Sequence, residues 1–187
     1  IAHGSWQTPP TLALVVADGE IAGRYNPGSP LEQEPRVTVG AMSRAFEQAR
    51  NDRRVKGIVF RIDSPGGDAL ASDAISRSAI AAAKAKPVVV SMGGVAASGG
   101  YYIAMPARRL FADPATITGS IGIYGGKVDM SVLYQKIGLN KELFTRGKYA
   151  GSLSTSRPFT EEERAKYRHH LEAFYNQFIG FAASHRG

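Results

Sequence analysis

The chain has 187 residues, 43% apolar and 21% charged, which suits a globular domain with a real core and argues against disorder. No run approaches the roughly 18 consecutive apolar residues of a membrane helix, and the lack of cysteine excludes disulfides, thiolate chemistry and cysteine zinc sites. A net charge of +7 raises the question of nucleic acid, but the cations are scattered (Arg50, Arg53, Arg54; Lys84, Lys86; Arg108, Arg109) and flank element ends. They read as solvated surface, with weak attraction to anionic lipid headgroups as the functional alternative.

Residues 1–10 read as a mobile entry, and Thr11 to Val16 as a first strand. Gly23 to Pro35, with three prolines and Gly28, reads as a loop. Met42, Phe46 and Ala49 recur at helical spacing within a helix over 39–51. A strand over 56–62, an alanine-rich helix over about 69–85, a strand over 87–92 and a helix opened by Ser98 follow. Strands alternating with helices predict an α/β domain with a mostly parallel sheet. Ser131 to Ile137 reads as a short helix stopped by Gly138, and Lys141 to Thr145 as a further strand. Thr160 and Glu163 have capping-box spacing at the start of a last helix. Its Tyr167, Leu171, Phe174, Tyr175 and Phe178 form an apolar stripe that reads as core, or as an oligomer contact where exposed. The whole reads as one domain over 1–187. Because it begins at Ile1 without Met or a signal peptide, it is expected to be a fragment lacking an upstream anchor or N-terminal segment.

Two glycine-rich turns carry the chemistry. A strand runs into Ser64-Pro65-Gly66-Gly67-Asp68, and another into Gly93-Gly94-Val95-Ala96-Ala97-Ser98-Gly99-Gly100. A hydroxyl at Ser98 would stand at a helix N-terminus among residues too small to block a carbonyl, with backbone N–H groups free to face an oxyanion. The same small residues also fit a tight strand-to-helix crossing that serves packing alone. Parallel strands set such turns side by side at their carboxyl ends, where Gly67 and Gly99 would make a two-donor oxyanion hole.

Ser64-Pro65-Gly66-Gly67, the run from Ser91 to Tyr102, and Thr118-Gly119-Ser120-Ile121-Gly122-Ile123 together resemble the signal peptide peptidase A family, over roughly residues 11–185. The resemblance implies a Clp protease/crotonase-like ββα superhelix and a membrane-associated bacterial serine endopeptidase that degrades remnant signal peptides and other hydrophobic peptides. It also implies a homo-oligomer and a peptidase domain on the extracytoplasmic side. No metal, cofactor or nucleic acid is expected, because no carboxylate/histidine cluster has ligand spacing, the Gly-rich turns lack a phosphate-binding pattern and there is no nucleic-acid module. Ser98 would be the nucleophile. His3, His169, His170 and His185 sit at termini or on the last helix, and position 123, where Clp proteases place a histidine, is Ile123. A Ser-Lys pair is therefore expected. Lys148 matches the lysine base of single-domain members, and Ser120 would hold its amine by resemblance. A lysine base must be neutral, which needs burial or nearby positive charge. Longer members are tandem, with the lysine in the other half, so a C-terminal half without its own base is an alternative. A crotonase-like acyl-binding or isomerase domain is another. Oligomer contacts are assigned to the last helix and the Gly23–Pro35 loop.

Overall fold

The computed structural model describes residues 9–23 and 36–186. The N-terminal entry, most of the Gly23–Pro35 loop and the C-terminal residue lie outside the described residues. Two compact units are distinguished, one of Ile1–Gly122 with Phe178–Gly187, the other of Ile123–Gln177.

The first unit is built on a parallel sheet. Strand β1 (Thr11–Asp18) pairs with β4 (Val55–Ser64), β4 with β5 (Val88–Ala97), and β5 with β6 (Arg109–Phe111). A further short strand, β7 (Ile117–Gly119), also pairs with β5. Every pairing is parallel, so the carboxyl ends of the strands gather at one edge. Helices α1 (Val39–Asn51) and α2 (Ala69–Ala83) supply the crossovers. Their inward residues, among them Phe46, Ile75 and Ala79, bury against Phe60, Ile62 and Val90 of the strands. The rings of Phe46 and Phe60 meet edge-on at 4.9 Å. On β1 the period-two pattern is plain, with Val15 and Ala17 buried and Leu12, Leu14 and Val16 exposed. This α/β architecture with its parallel sheet is the one expected from the sequence.

Helix starts follow the side chains available. Thr38 accepts from the Ala41 amide at the start of α1, and Asp68 Oδ1 accepts from Ala71 at 2.7 Å at the start of α2. The end of α1 is closed by Lys86, whose amine donates to the carbonyls of Ala49 (2.6 Å) and Asp52 (2.5 Å). That lysine is a structural cation rather than simple surface. Strands β2 (Glu20–Ala22) and β3 (Arg36–Thr38) pair in parallel as a separate small sheet.

Strand β5 runs five residues past the expected end at Met92. Register with β4 is Ile62 to Met92 and then Ser64 to Ala96, so β5 bulges at Gly93–Val95. The Asp63 carboxylate fills that bulge, accepting from the amides of Gly94 and Val95 at 3.1 Å each. A side chain thus replaces the missing ladder partner, and the strand continues to Ala97.

The second unit carries α4 (Ser131–Lys136) and the first part of α5 (Glu161–Arg186). Lys141 to Thr145 forms no strand, a correction to the sequence reading. Phe144 is 91% exposed and, among the described residues, the segment has no partner strand within its unit, so no ladder forms. The capping box does form: Thr160 Oγ1 accepts from the Glu163 amide (3.2 Å), and Glu163 Oε2 accepts from the Thr160 amide (2.9 Å). Arg157 grips the same carboxylate with two nitrogens at 2.7 and 2.6 Å. These bonds, the Arg157 fork first, hold the Glu163 carboxyl down to about 2. The expected single stripe on α5 is divided. Tyr167 stacks on Phe159 in the second unit, Phe178 is buried in the first, and Tyr175 is exposed.

Candidate active site

The turns after β4 and β5 meet. Gly66 has φ +97°, and a Cβ placed on it would lie 2.6 Å from the Gly99 nitrogen and 2.9 Å from both the Ala97 carbonyl oxygen and Ser98 Cβ. Only glycine permits both the dihedral and the approach. A Cβ on Gly99 would lie 3.3 Å from Gly66 Cα and the Gly67 nitrogen, and 2.5 Å from Ser72 Oγ. Ser98 and Gly66–Gly67 are therefore held within contact distance by backbone alone.

Ser98 itself has φ +52° and ψ −119° and makes no cap hydrogen bond to α3 (Gly99–Ala104), the helix that it opens. A non-glycine residue in this region costs on the order of 1–3 kcal/mol. The sharp strand-to-helix turn lifts the side chain out of both elements, the geometry of a nucleophile elbow. Its backbone is fixed on two sides. The Ser98 amide donates to Gly119 O at 2.9 Å, and its carbonyl accepts from the Tyr102 amide at 2.9 Å. The Tyr102 ring is buried between Phe178 (4.9 Å) and Phe181 (4.7 Å), and its hydroxyl donates to Asp73 Oδ1 at 3.1 Å.

The oxyanion donors follow from pairing geometry. Gly67 bridges Ile21: the Ile21 amide donates to Gly66 O (2.7 Å) and the Asp68 amide donates to Ile21 O (2.8 Å). In a parallel bridge the central residue's own N–H points the other way, so that of Gly67 is directed away from β2. As the first residue of α3, Gly99 has no intrahelical acceptor for its N–H. Buried Ser64 accepts from the Gly66 amide at 3.2 Å and buried Ser72 donates to Asp68 O at 2.8 Å, which fixes the first turn from beneath. Sequence reasoning named Ser64 and Tyr102 only as motif residues, without these roles, and passed over Ser72. The spacing of Asp68 and Ser72, one helical turn apart at a helix start, was the available signal.

Ser120 belongs to the same edge. Register pairs Ala97 with Gly119, which sets Ser120 beside Ser98 at the strand ends, with φ +50°. The first unit thus brings together Gly67, Ser98, Gly99 and Ser120. Lys148 lies in the second unit, on a turn preceding α5. Its amine is ion-paired with Glu162 Oε1, which also accepts from the Tyr149 hydroxyl at 2.6 Å. The side chain is 67% exposed. The Glu162 hydrogen bond, first among the causes, raises this amine above its ordinary 10.5 and outweighs the small lowering by desolvation, contrary to what a base requires.

Residues 80–187 match the family model for peptidase family S49. The chain belongs to that family. It is 39% identical over 180 residues to the chloroplastic serine protease SPPA of Arabidopsis thaliana, and 39% identical over 179 residues to protease 4 of Salmonella typhi. Each comparison covers 94% of this chain, but only 26% and 28% of those relatives. The chain thus spans about a quarter of their length. Among solved structures, it is similar to the 1510-N membrane-bound stomatin-specific protease (21% identity, 60% of this chain and 47% of that one, TM-score 0.45). It is likewise similar to ClpP1 of Listeria monocytogenes (23% identity, 51% and 46%, TM-score 0.37).

Proposed function

We propose that this chain is the nucleophile-bearing part of a serine endopeptidase. Ser98 attacks the peptide carbonyl, and the N–H groups of Gly67 and Gly99 receive the oxyanion. The base that takes the Ser98 hydroxyl proton returns it to the leaving nitrogen as the C–N bond breaks, and water then hydrolyses the acyl-enzyme, freeing the Ser98 hydroxyl and a peptide carboxylate. The observation that carries this is the seating of Gly66–Gly67 against Ser98–Gly99, with Ser98 held at positive φ. Against a crotonase-like acyl-binding domain stands that strained serine, since an oxyanion hole alone needs no nucleophile. Lys148 is the proposed base and Ser120 the hydroxyl that holds its amine. For that role the Glu162 pair must open when peptide binds, because only a neutral amine takes a proton.

The ion pair also favours a second reading, in which the base comes from chain beyond these residues, as in tandem members of the family. Peptide hydrolysis separates the two. Ser98→Ala is expected to lose on the order of 10³-fold in turnover, and near-normal turnover would remove the nucleophile assignment. Lys148→Ala is expected to lose as much if Lys148 is the base, and to keep its rate if the base lies elsewhere.

Hydrophobic peptides such as spent signal peptides are the proposed substrates, at a bacterial membrane on its extracytoplasmic side. Among the described residues no helix is long and apolar enough to cross a membrane, so attachment is proposed for other parts of the protein. Homo-oligomerisation is proposed as well. Of the two surfaces assigned from the sequence, the Gly23–Pro35 loop lies mostly outside the described residues and α5 offers exposed Tyr175 and Ile179; further exposed apolar residues lie before α5 at Tyr124, Val128, Val132, Ile137 and Phe144.

A further inference from the structure

A pocket of about 380 Å³ opens inside the second unit between the Gly125–Gly126 turn and the first half of α5. That volume is within the range of small-ligand sites. Its walls are apolar: Leu171, Pro158, and the rings of Phe159 and Tyr167 stacked at 5.4 Å. Gly125 lies so close to α5 that a Cβ there would overlap the Tyr167 hydroxyl and lie 3.4 Å from Leu171 Cδ2. Apart from that hydroxyl the walls offer few polar side-chain groups, so the interior suits alkyl side chains rather than a nucleobase, whose edges need partners.

The rim has the opposite character. Lys127 is anchored with its amine 4.4 Å over the Phe159 ring and donating to Ser152 O at 2.7 Å. Arg164 and Arg168 stand one helical turn apart on α5 and also line the pocket. Arg164 has only a distant partner, Glu161 at 4.0 Å, and Arg168 pairs with no described carboxylate. The one acidic group, Asp129, is occupied in accepting from the Ser131 amide (3.0 Å), the first cause holding its carboxyl below the usual range. Three cations therefore face one engaged anion across an apolar cleft.

We propose that this pocket binds the free carboxyl end of an apolar peptide, with the terminal carboxylate on the Arg164–Arg168 pair and the last side chains against Phe159, Tyr167 and Leu171. A guanidinium fork matches a carboxylate bidentately. The choice of a peptide rests on the peptidase reading above, since hydrolysis of an acyl-enzyme leaves a new peptide carboxylate. The pocket is thus a product or exosite for such ends, made of residues that the proposed chemistry does not use.

The test uses the Ser98→Ala protein, which removes turnover and makes binding independent of whether the peptidase reading holds; that reading stands or falls on covalent labelling instead. An N-acetylated alanine–leucine pentapeptide with a free carboxyl end is titrated beside its C-terminal amide, read by calorimetry and by amide shifts of Gly125 and Gly126. The acid is expected to bind at least about tenfold tighter than the amide, the worth of one charge-assisted contact, and to move both glycine signals. Arg164→Gln with Arg168→Gln is expected to bring acid and amide within twofold, while Gly125→Leu blocks both. Equal binding of acid and amide, binding undiminished in the double variant, or shifts that spare Gly125 and Gly126 would overturn the proposal. So would hexanoate binding as tightly as the peptide acid, which would make the site one for fatty acids.

Discussion

Gly66→Ala tests whether the contact between the two glycine turns builds the site. The new methyl would sit 2.6 Å from the Gly99 nitrogen, so the turns must part by about 0.8 Å to restore ordinary contact near 3.4 Å. Alanine at φ +97° adds backbone strain of about 1–3 kcal/mol. Overpacking in so tight a place adds about 1–3 kcal/mol more. Against a folding margin of about 5–15 kcal/mol, the variant is expected to fold, with Tm lowered on the order of 10 °C. A displacement near 1 Å at the reacting centre costs roughly 10²-fold in rate. The assay is the rate at which a fluorophosphonate modifies the folded protein at 20 °C, beside a thermal melt. Loss in both is expected. A lowered Tm with an unchanged rate per folded molecule would refute the claim that this contact sets the geometry at Ser98.

Tyr102→Ala is expected to destabilise the first unit by about 3–5 kcal/mol through loss of a buried ring, whereas Tyr102→Phe should lose only about 0.5–1.5 kcal/mol for the Asp73 bond; urea unfolding measures both, and equal effects would contradict the packing role. The Glu163 carboxyl is lower in the fold, about 2, than its ordinary 4.5, so its contribution to stability is full above 4.5 and is lost as pH falls through about 2. Hydrogen exchange at the start of α5 should rise over that window, and Glu163→Gln should abolish the pH dependence; an unchanged profile would refute it. Glu162 raises the Lys148 amine, so Glu162→Gln should move the rising limb of the pH–rate profile to lower pH if Lys148 is the base; an unmoved limb would assign the base to another group.

Much of the first unit was legible because its signals are local. Short apolar runs over 11–16 and 56–62, helical spacing of Met42, Phe46 and Ala49, and Pro-Gly-Gly after a strand are each signals carried within a few residues. The adjacency of Gly67 and Ser98 was legible too, since parallel strands leave their turns on one edge. What escaped depended on distant partners. The extension of β5 to Ala97 needs the Asp63 carboxylate, thirty residues earlier in the chain, to satisfy the bulge. The segment 141–145 reads as a strand, yet among the described residues of its unit no neighbouring strand exists to accept it. For Lys148, the sequence shows small and aromatic neighbours but not Glu162, which the turn of the chain at Thr160 brings to its amine. A local reading sees the residue and misses the charge that fixes its protonation.

The central claim is that Ser98 is the nucleophile, and one experiment addresses it without choosing a base. The protein is treated with a fluorophosphonate and digested, and the adduct is mapped by mass spectrometry. A single adduct on Ser98, absent from Ser98→Ala, is the predicted result. An adduct on Ser64, Ser72 or Ser120 instead, or an undiminished yield from Ser98→Ala, would contradict it.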